Sequence, residues 1–69
     1  MQTTLEQLTR RELDVLRLVA QGLTDAQVAE RLVISPRTVH GHLRSIYGKL
    51  GVNSRTAATR YAIDNDLIE

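Results

Sequence analysis

Helix-start signals constrain the fold of this chain more than any other feature. Two Thr-x-x-Glu/Gln pairs have the spacing of a capping box, in which two side chains satisfy each other's free backbone N–H groups: Thr9 with Glu12, and Thr24 with Gln27. Ser35 precedes Pro36, which suits an N-cap followed by a first helical position, where the missing proline N–H has no consequence. The chain is therefore expected to form short consecutive helices.

Apolar periodicity and turn residues predict four helices. They should lie at about residues 10–21, 25–32 and 36–50, with the last starting near Asn53 or Ser54 and ending near Asn65. Gly22 and Gly51 suit the left-handed position after a helix end. Residues 33–34 are expected to make a tight turn, and no segment alternates in the manner of a strand. The predicted fold class is all-α, with four helices.

The length of 69 residues predicts one domain, at residues 8–69, behind a flexible N-terminal lead at residues 1–7. Phe, Trp and Cys are absent, so the core must be aliphatic and no disulfide or thiolate metal site can form. The predicted core positions are Leu13, Leu16, Val19, Ala20, Val28, Ala29, Leu32, Val39, Leu43, Ile46, Leu50, Ala58, Tyr61 and Ala62.

Charge is segregated along the chain. Residues 1–30 carry three basic and five acidic residues, whereas residues 31–63 carry six basic and no acidic ones. A basic stretch of this kind indicates a surface that faces a polyanion. On charge alone, a solvated basic face that binds nothing remains an equal alternative.

The third helix has two distinct faces. At 100° per residue, Val39, Leu43, Ile46 and Leu50 fall within about 60° and should face the core. The opposite side, within about 100°, carries two arginines, a histidine and two glycines: Arg37, His40, Gly41, Arg44 and Gly48. A capped helix, a tight turn and a basic helix form a helix-turn-helix, whose second helix reads the DNA major groove.

These positions give a predicted DNA interface. The base-contacting residues are expected to be Arg37, His40, Gly41 and Arg44, because they share the outer stripe at the start of the third helix. The phosphate-contacting residues are expected to be Thr24, Ser35, Thr38, Lys49 and Arg55. Two alternatives stay open: Thr24 acts only as a cap, and Arg55 pairs with a carboxylate inside the domain.

The chain resembles the LuxR-type (GerE-like) helix-turn-helix domain of bacterial transcription regulators. The resemblance is carried by LTRRELDVLRLVAQGLT (8–24), VAERLVISPRTVHGHLRSIYGKLGV (28–52) and SRTAATRYA (54–62). It implies four helices, with the second and third as the DNA-binding pair and the fourth as a dimer contact. It also implies an upstream receiver or ligand-binding domain that is absent from this chain.

Two positions depart from the family pattern. The family usually has a lysine where His40 stands, so its base preference does not carry over to this position. It usually has a glycine where Asp66 stands. The left-handed residue that ends the fourth helix is therefore expected to be Asn65.

One face of the fourth helix is predicted to pair two copies on DNA. It carries Thr56, Thr59, Arg60 and Ile63 within about 100°. A small patch of this kind favours a monomer in solution that forms a homodimer on double-stranded DNA. A solvated helix face is the alternative.

Other function classes fit the sequence less well. His40 and His42 lie about 200° apart on a helix and cannot share a metal, so no enzyme, metal site or cofactor is predicted. A protein-interaction helical module is the stronger rival, although the charged outer face of the third helix argues against it. The sequence thus predicts a cytoplasmic, sequence-specific DNA-binding effector domain of a bacterial transcription regulator, with no membrane segment.

Overall fold

The structure, a computed structural model, describes residues 7–67. These residues form four helices, α1 (Arg10–Ala20), α2 (Asp25–Leu32), α3 (Pro36–Leu50) and α4 (Arg55–Asp64), and no strand occurs among them. The all-α, four-helix fold is therefore confirmed, with helix ends within a residue or two of the predicted ones. Of the predicted N-terminal lead, residues 1–6 lie outside the described range.

Each helix begins with a side-chain cap. Thr9 Oγ1 accepts from the Glu12 N–H at 3.1 Å, and Glu12 Oε1 accepts from the Thr9 N–H at 2.9 Å. The second capping box repeats this exchange at 3.2 and 2.9 Å. Ser35 and Ser54 cap α3 and α4 through the N–H groups of Thr38 and Ala57, both at 3.1 Å. Both capping boxes and the Ser35 cap are thus confirmed.

Helix α2 ends at its C-cap Val33, whose left-handed backbone conformation is unusual for a β-branched residue. Gly22 and Gly51 have φ values of 98° and 71°, as predicted for glycines after a helix. Val33 also has a positive φ, 59°, although it is β-branched. Its side chain is 89% exposed, so burial does not compensate for the strain. The predicted tight turn between α2 and α3 therefore rests on a strained valine.

The left-handed residue after α4 lies one position later than predicted, so the prediction for Asn65 is wrong. Asn65 has a φ of −108°, and its side-chain amide donates to the Tyr61 carbonyl at 2.9 Å. Asp66 instead takes the left-handed conformation, with a φ of 57°. Asn65 stays close to the helix because its side chain and its backbone N–H both bond to the Tyr61 carbonyl.

The core lies where the four helices meet. Its largest fully buried side chains are Leu16, Ile46, Val15, Val28 and Val39. Burying an aliphatic side chain of this size contributes about 1.5 to 3 kcal/mol. All four predicted core residues of α3 are buried, but Leu13, Ala20, Leu32 and Tyr61 are only half-buried.

The buried face of helix α1 is shifted from the predicted one, although Leu16 and Val19 are buried as predicted. Glu12 and Val15 are buried, and they continue through Leu16 to Val19 at the spacing i, i+3, i+4, i+7. The helix is thus rotated by about 60° from the predicted orientation. It packs against all three other helices, and α3 packs against α1, α2 and α4. One side of α3 is therefore held in the core and the other is left open.

Candidate nucleic-acid interface

The open side of α3 is the stripe that the sequence predicted. Arg37, His40, Gly41 and Arg44 are all exposed. A Cβ placed on Gly41 or on Gly48 would meet nothing within 4 Å. No packing inside the described part of the domain therefore requires glycine at these two positions. The stripe combines two guanidinium groups, an imidazole and a stretch of bare helix backbone.

The first turn of α3 is ordered by a hydroxyl pair. Ser35 Oγ accepts from the Thr38 N–H, and the two hydroxyls lie 2.9 Å apart. Both residues are exposed and stand next to the stripe. Hydroxyls and backbone N–H groups at a helix N-terminus are common phosphate donors. Thr24, at the start of α2, is occupied as a cap by the Gln27 N–H but remains exposed.

A buried carboxylate fastens the far half of α3 to α1. Glu12 Oε2 accepts from the Ser45 hydroxyl at 2.6 Å, and Glu12 Oε1 accepts from Lys49 Nζ at 2.8 Å. The same Oε1 also accepts from the Thr9 backbone. Burial raises the pKa of the Glu12 carboxyl, but these hydrogen bonds outweigh it and bring the pKa from 4.5 to about 2. Glu12 is thus charged and fully partnered at neutral pH.

The sequence prediction missed this role of Glu12. It assigned Glu12 only to the capping box and Lys49 only to a phosphate. The available signal was the position of Glu12 on the apolar arc of α1, where a carboxylate needs a buried partner. The ammonium group of Lys49 has three N–H donors, and the pair with Glu12 uses one of them.

A second ion pair fastens α4 to α2. Arg55 Nη1 lies 2.5 Å from Asp25 Oδ1, and Arg55 Nη2 donates to the Leu23 carbonyl. Asp25 also faces α3, where its Oδ2 lies 4.0 Å from His40 Nδ1. Pairing of Arg55 with a carboxylate inside the domain was one of the open alternatives, and the structure contains that pair. Arg55 and Asp25 thus join the starts of two helices.

Tyr47 of α3 lies beside this ion pair. Burial raises the pKa of the Tyr47 phenol, Arg55 lowers it, and Asp25 raises it again, with a net increase. The phenol is therefore neutral at physiological pH. It packs against the core next to the charges and is not one of them.

The outer face of α4 has the predicted exposure, with one exception. Thr56, Arg60 and Ile63 are exposed, whereas Thr59 is half-buried. Ile63 is 51% exposed, and only Val33 is more exposed among the large apolar side chains of residues 7–67. The face thus carries one apolar side chain among small and basic ones.

Within residues 7–67, no three side chains of the types that bind metals lie close enough together to hold an ion. Within the same residues, no helix is both long and apolar enough to cross a bilayer.

Comparison with known proteins places the chain and its relatives in the same family. Residues 6–62 match the family model GerE, described as bacterial regulatory proteins, luxR family. The transcriptional regulatory protein LiaR of Bacillus subtilis is 44% identical over 63 residues, which cover 91% of this chain and 30% of LiaR. The nitrate/nitrite response regulator protein NarP of Escherichia coli is 56% identical over 52 residues, which cover 75% of this chain and 24% of NarP.

A third relative is the oxygen regulatory protein NreC of Staphylococcus aureus. It is 39% identical over 62 residues, which cover 90% of this chain and 29% of NreC. The chain thus spans less than a third of the length of each of these three relatives. The expected family is confirmed, and a protein-interaction module is not favoured. The chain therefore belongs to the luxR family of bacterial regulatory proteins, as a four-helix helix-turn-helix domain of that family.

Proposed function

We propose that this domain binds double-stranded DNA sequence-specifically, with α3 in the major groove. The observation that carries the proposal is the exposed stripe on the first half of α3, opposite a fully packed face. Arg37 and Arg44 can each bond a guanine edge bidentately, and His40 can bond one further base. Gly41 leaves room for the groove wall to approach the helix backbone.

The side chains proposed to contact phosphates around this stripe differ in how exposed they are. Ser35 and Thr38 present exposed hydroxyls at the start of α3, and Thr24 presents one at the start of α2. Lys49 and Arg55 are half-buried and are each held by a carboxylate inside the domain. The first group is therefore expected to carry more of the backbone contact than the second.

On DNA, two copies are proposed to pair through Thr56, Thr59, Arg60 and Ile63 of α4. The exposed Ile63 and its small or basic neighbours support this contact. A two-fold axis through α4 would set two α3 helices on successive major-groove turns, about 10 base pairs apart. The patch is small, so pairing is expected only when DNA holds both copies.

The domain is proposed to act in the cytoplasm as the effector part of a longer regulator, without catalytic activity of its own. The response regulator NarP and the regulatory proteins LiaR and NreC are each about three times as long as this chain. An upstream receiver or sensor domain would control when this domain binds. Such an arrangement separates sensing from DNA reading.

The test is a selection of bound sequences from random duplexes, followed by titrations at several salt concentrations. Affinity should fall steeply with salt, because phosphate contacts release counterions. Arg37→Ala and Arg44→Ala should each lower affinity by about 1 to 3 kcal/mol and relax one base position. The control is Arg17→Ala, which removes an exposed arginine from α1. Unchanged affinity and unchanged base preference in both α3 variants would contradict the proposed docking.

A further inference from the structure

Asp25 occupies a position between two cationic or protonatable side chains from two other helices. Its Oδ1 is bound by Arg55 of α4, and its Oδ2 faces His40 of α3 at 4.0 Å. Arg55 is itself held by the Leu23 carbonyl. The carboxylate is therefore fixed in orientation, with one oxygen assigned to each neighbour.

His40 has an exposed side chain, and one defined nitrogen of its ring faces this carboxylate. Its side chain is 68% exposed, and the nitrogen nearest to Asp25 is Nδ1. The distance of 4.0 Å exceeds a hydrogen bond, so the interaction in the free domain is electrostatic. A neutral imidazole carries its proton on one nitrogen and a lone pair on the other. A proton on Nδ1 is attracted by the carboxylate, whereas a lone pair there is repelled.

We propose that Asp25 is a specificity-determining positioning residue, which holds neutral His40 with its proton on Nδ1. The Nε2 atom then has a lone pair and acts as a hydrogen-bond acceptor. Such an acceptor suits the base amino groups of the major groove, cytosine N4 and adenine N6. It disfavours guanine O6 and N7 and thymine O4, which are acceptors themselves. This inference rests on the proposed DNA binding and names the base class that His40 reads.

The substitution Asp25→Asn reverses the expected preference. Arg55 has only donors to offer, so the amide oxygen of Asn must face Arg55. The amide NH₂ group then faces His40 and favours a lone pair on Nδ1. The proton moves to Nε2, which becomes a donor and suits guanine or thymine.

The first measurement uses the free domain and needs no DNA. At pH 8, where an ordinary imidazole is neutral, nitrogen-15 chemical shifts of the His40 ring report which nitrogen carries the proton. The expected result is protonated Nδ1 in the wild type and protonated Nε2 in Asp25→Asn. Asp14→Asn is the control, because this carboxylate of α1 pairs with Arg10 of its own helix. A proton on the same nitrogen in wild type and Asp25→Asn would overturn the proposal.

The second measurement uses duplexes with each of the four base pairs at the position that His40→Ala relaxes. The ratio of affinities for amino-presenting over carbonyl-presenting bases should fall at least roughly tenfold in Asp25→Asn. This ratio is insensitive to a partly unfolded fraction, because both duplexes meet the same protein. A ratio unchanged from wild type would refute the step in which Asp25 acts on base choice. Absence of duplex binding by the wild type would instead refute the proposed function. The nitrogen-15 result would still test the position of the His40 proton, because that measurement needs no DNA.

Discussion

Lys49, in the last turn of α3, donates to the buried carboxylate of Glu12, in the first turn of α1, across 2.8 Å. The two residues are 37 positions apart in the chain. Their pair, together with the Ser45 hydroxyl, fixes the end of α3 that lies away from the proposed reading stripe. It therefore contributes to the angle at which the stripe is presented.

Acid should weaken the domain through Glu12. The pKa of this carboxyl is about 2 in the folded state, below its ordinary value of 4.5. Its stabilising contribution is therefore complete above pH 4.5 and is lost as the pH falls toward 2. The difference corresponds to about 3 kcal/mol of unfolding free energy. Urea denaturation between pH 2 and 6 should show this loss in the wild type and much less of it in Glu12→Gln. Glu30→Gln, an exposed site on α2, is the control and should keep the wild-type slope.

Removing the ammonium of Lys49 should affect both folding and DNA binding. Lys49→Met leaves the buried Glu12 carboxylate without its charged partner and should lower the unfolding free energy by about 1 to 3 kcal/mol. If the remaining donors reach a phosphate, the slope of log affinity against log salt should also fall by about one. Denaturation and salt titrations separate the two effects. Arg17→Met removes the same charge from an exposed site on α1. A loss of stability with no change in salt slope would confine Lys49 to its structural pair.

Gly41 and Gly48 form a matched pair of open glycines on α3. Alanine at either site meets nothing within 4 Å and should stabilise the free domain by about 0.5 to 1 kcal/mol. Leucine at Gly41 should lower DNA affinity at least tenfold, because its bulk would meet the groove wall near the reading residues. Leucine at Gly48, two turns further on, should have a smaller effect. Thermal unfolding and DNA titration give the two readouts. Equal DNA affinities for the two leucine variants would argue against docking through the first half of α3.

Ile63→Glu should abolish cooperative binding to a double site. A charge on the outer face of α4 would oppose pairing without touching α3. Titrations against one half-site and against two measure affinity and cooperativity separately. Gln21→Glu adds the same charge at the exposed end of α1 and should leave cooperativity intact. If Ile63→Glu and wild type were equally cooperative, this face of α4 would be ruled out as the contact.

Val33→Gly should stabilise the domain. Valine at a φ of 59° is strained by about 1 to 2 kcal/mol, and its exposed side chain loses no packing on removal. Glycine adds freedom to the unfolded chain, so the net gain should be about 0.5 to 1 kcal/mol. Val33→Ala keeps the Cβ and should gain less. Chemical denaturation measures both, and a loss of stability in Val33→Gly would contradict the assigned strain.

The features that the sequence predicted correctly all depend on residues close together in the chain. Each capping box joins residues three positions apart, and the two faces of α3 follow from the helical repeat alone. The carboxylate partners of Lys49 and Arg55 escaped prediction, because they lie 37 and 30 positions away in the chain. Which carboxylate meets which cation depends on how the helices pack. The error of about 60° in the buried face of α1 has a related origin, because treating Glu12 as a polar surface residue hid its place on the buried arc.

The ion pair between Arg55 and Asp25 also affects which distance between two DNA half-sites the proposed dimer would accept. It binds the first residue of α4 to the first residue of α2, and α3 packs against both helices. The surface proposed for pairing and the stripe proposed for reading are thus connected by direct contacts between helices. Two copies joined through α4 would therefore hold their α3 helices at a fixed separation. A duplex whose half-sites stand a few base pairs further apart would have to twist or bend to fit. The dimer would then measure the length of its target as well as its sequence.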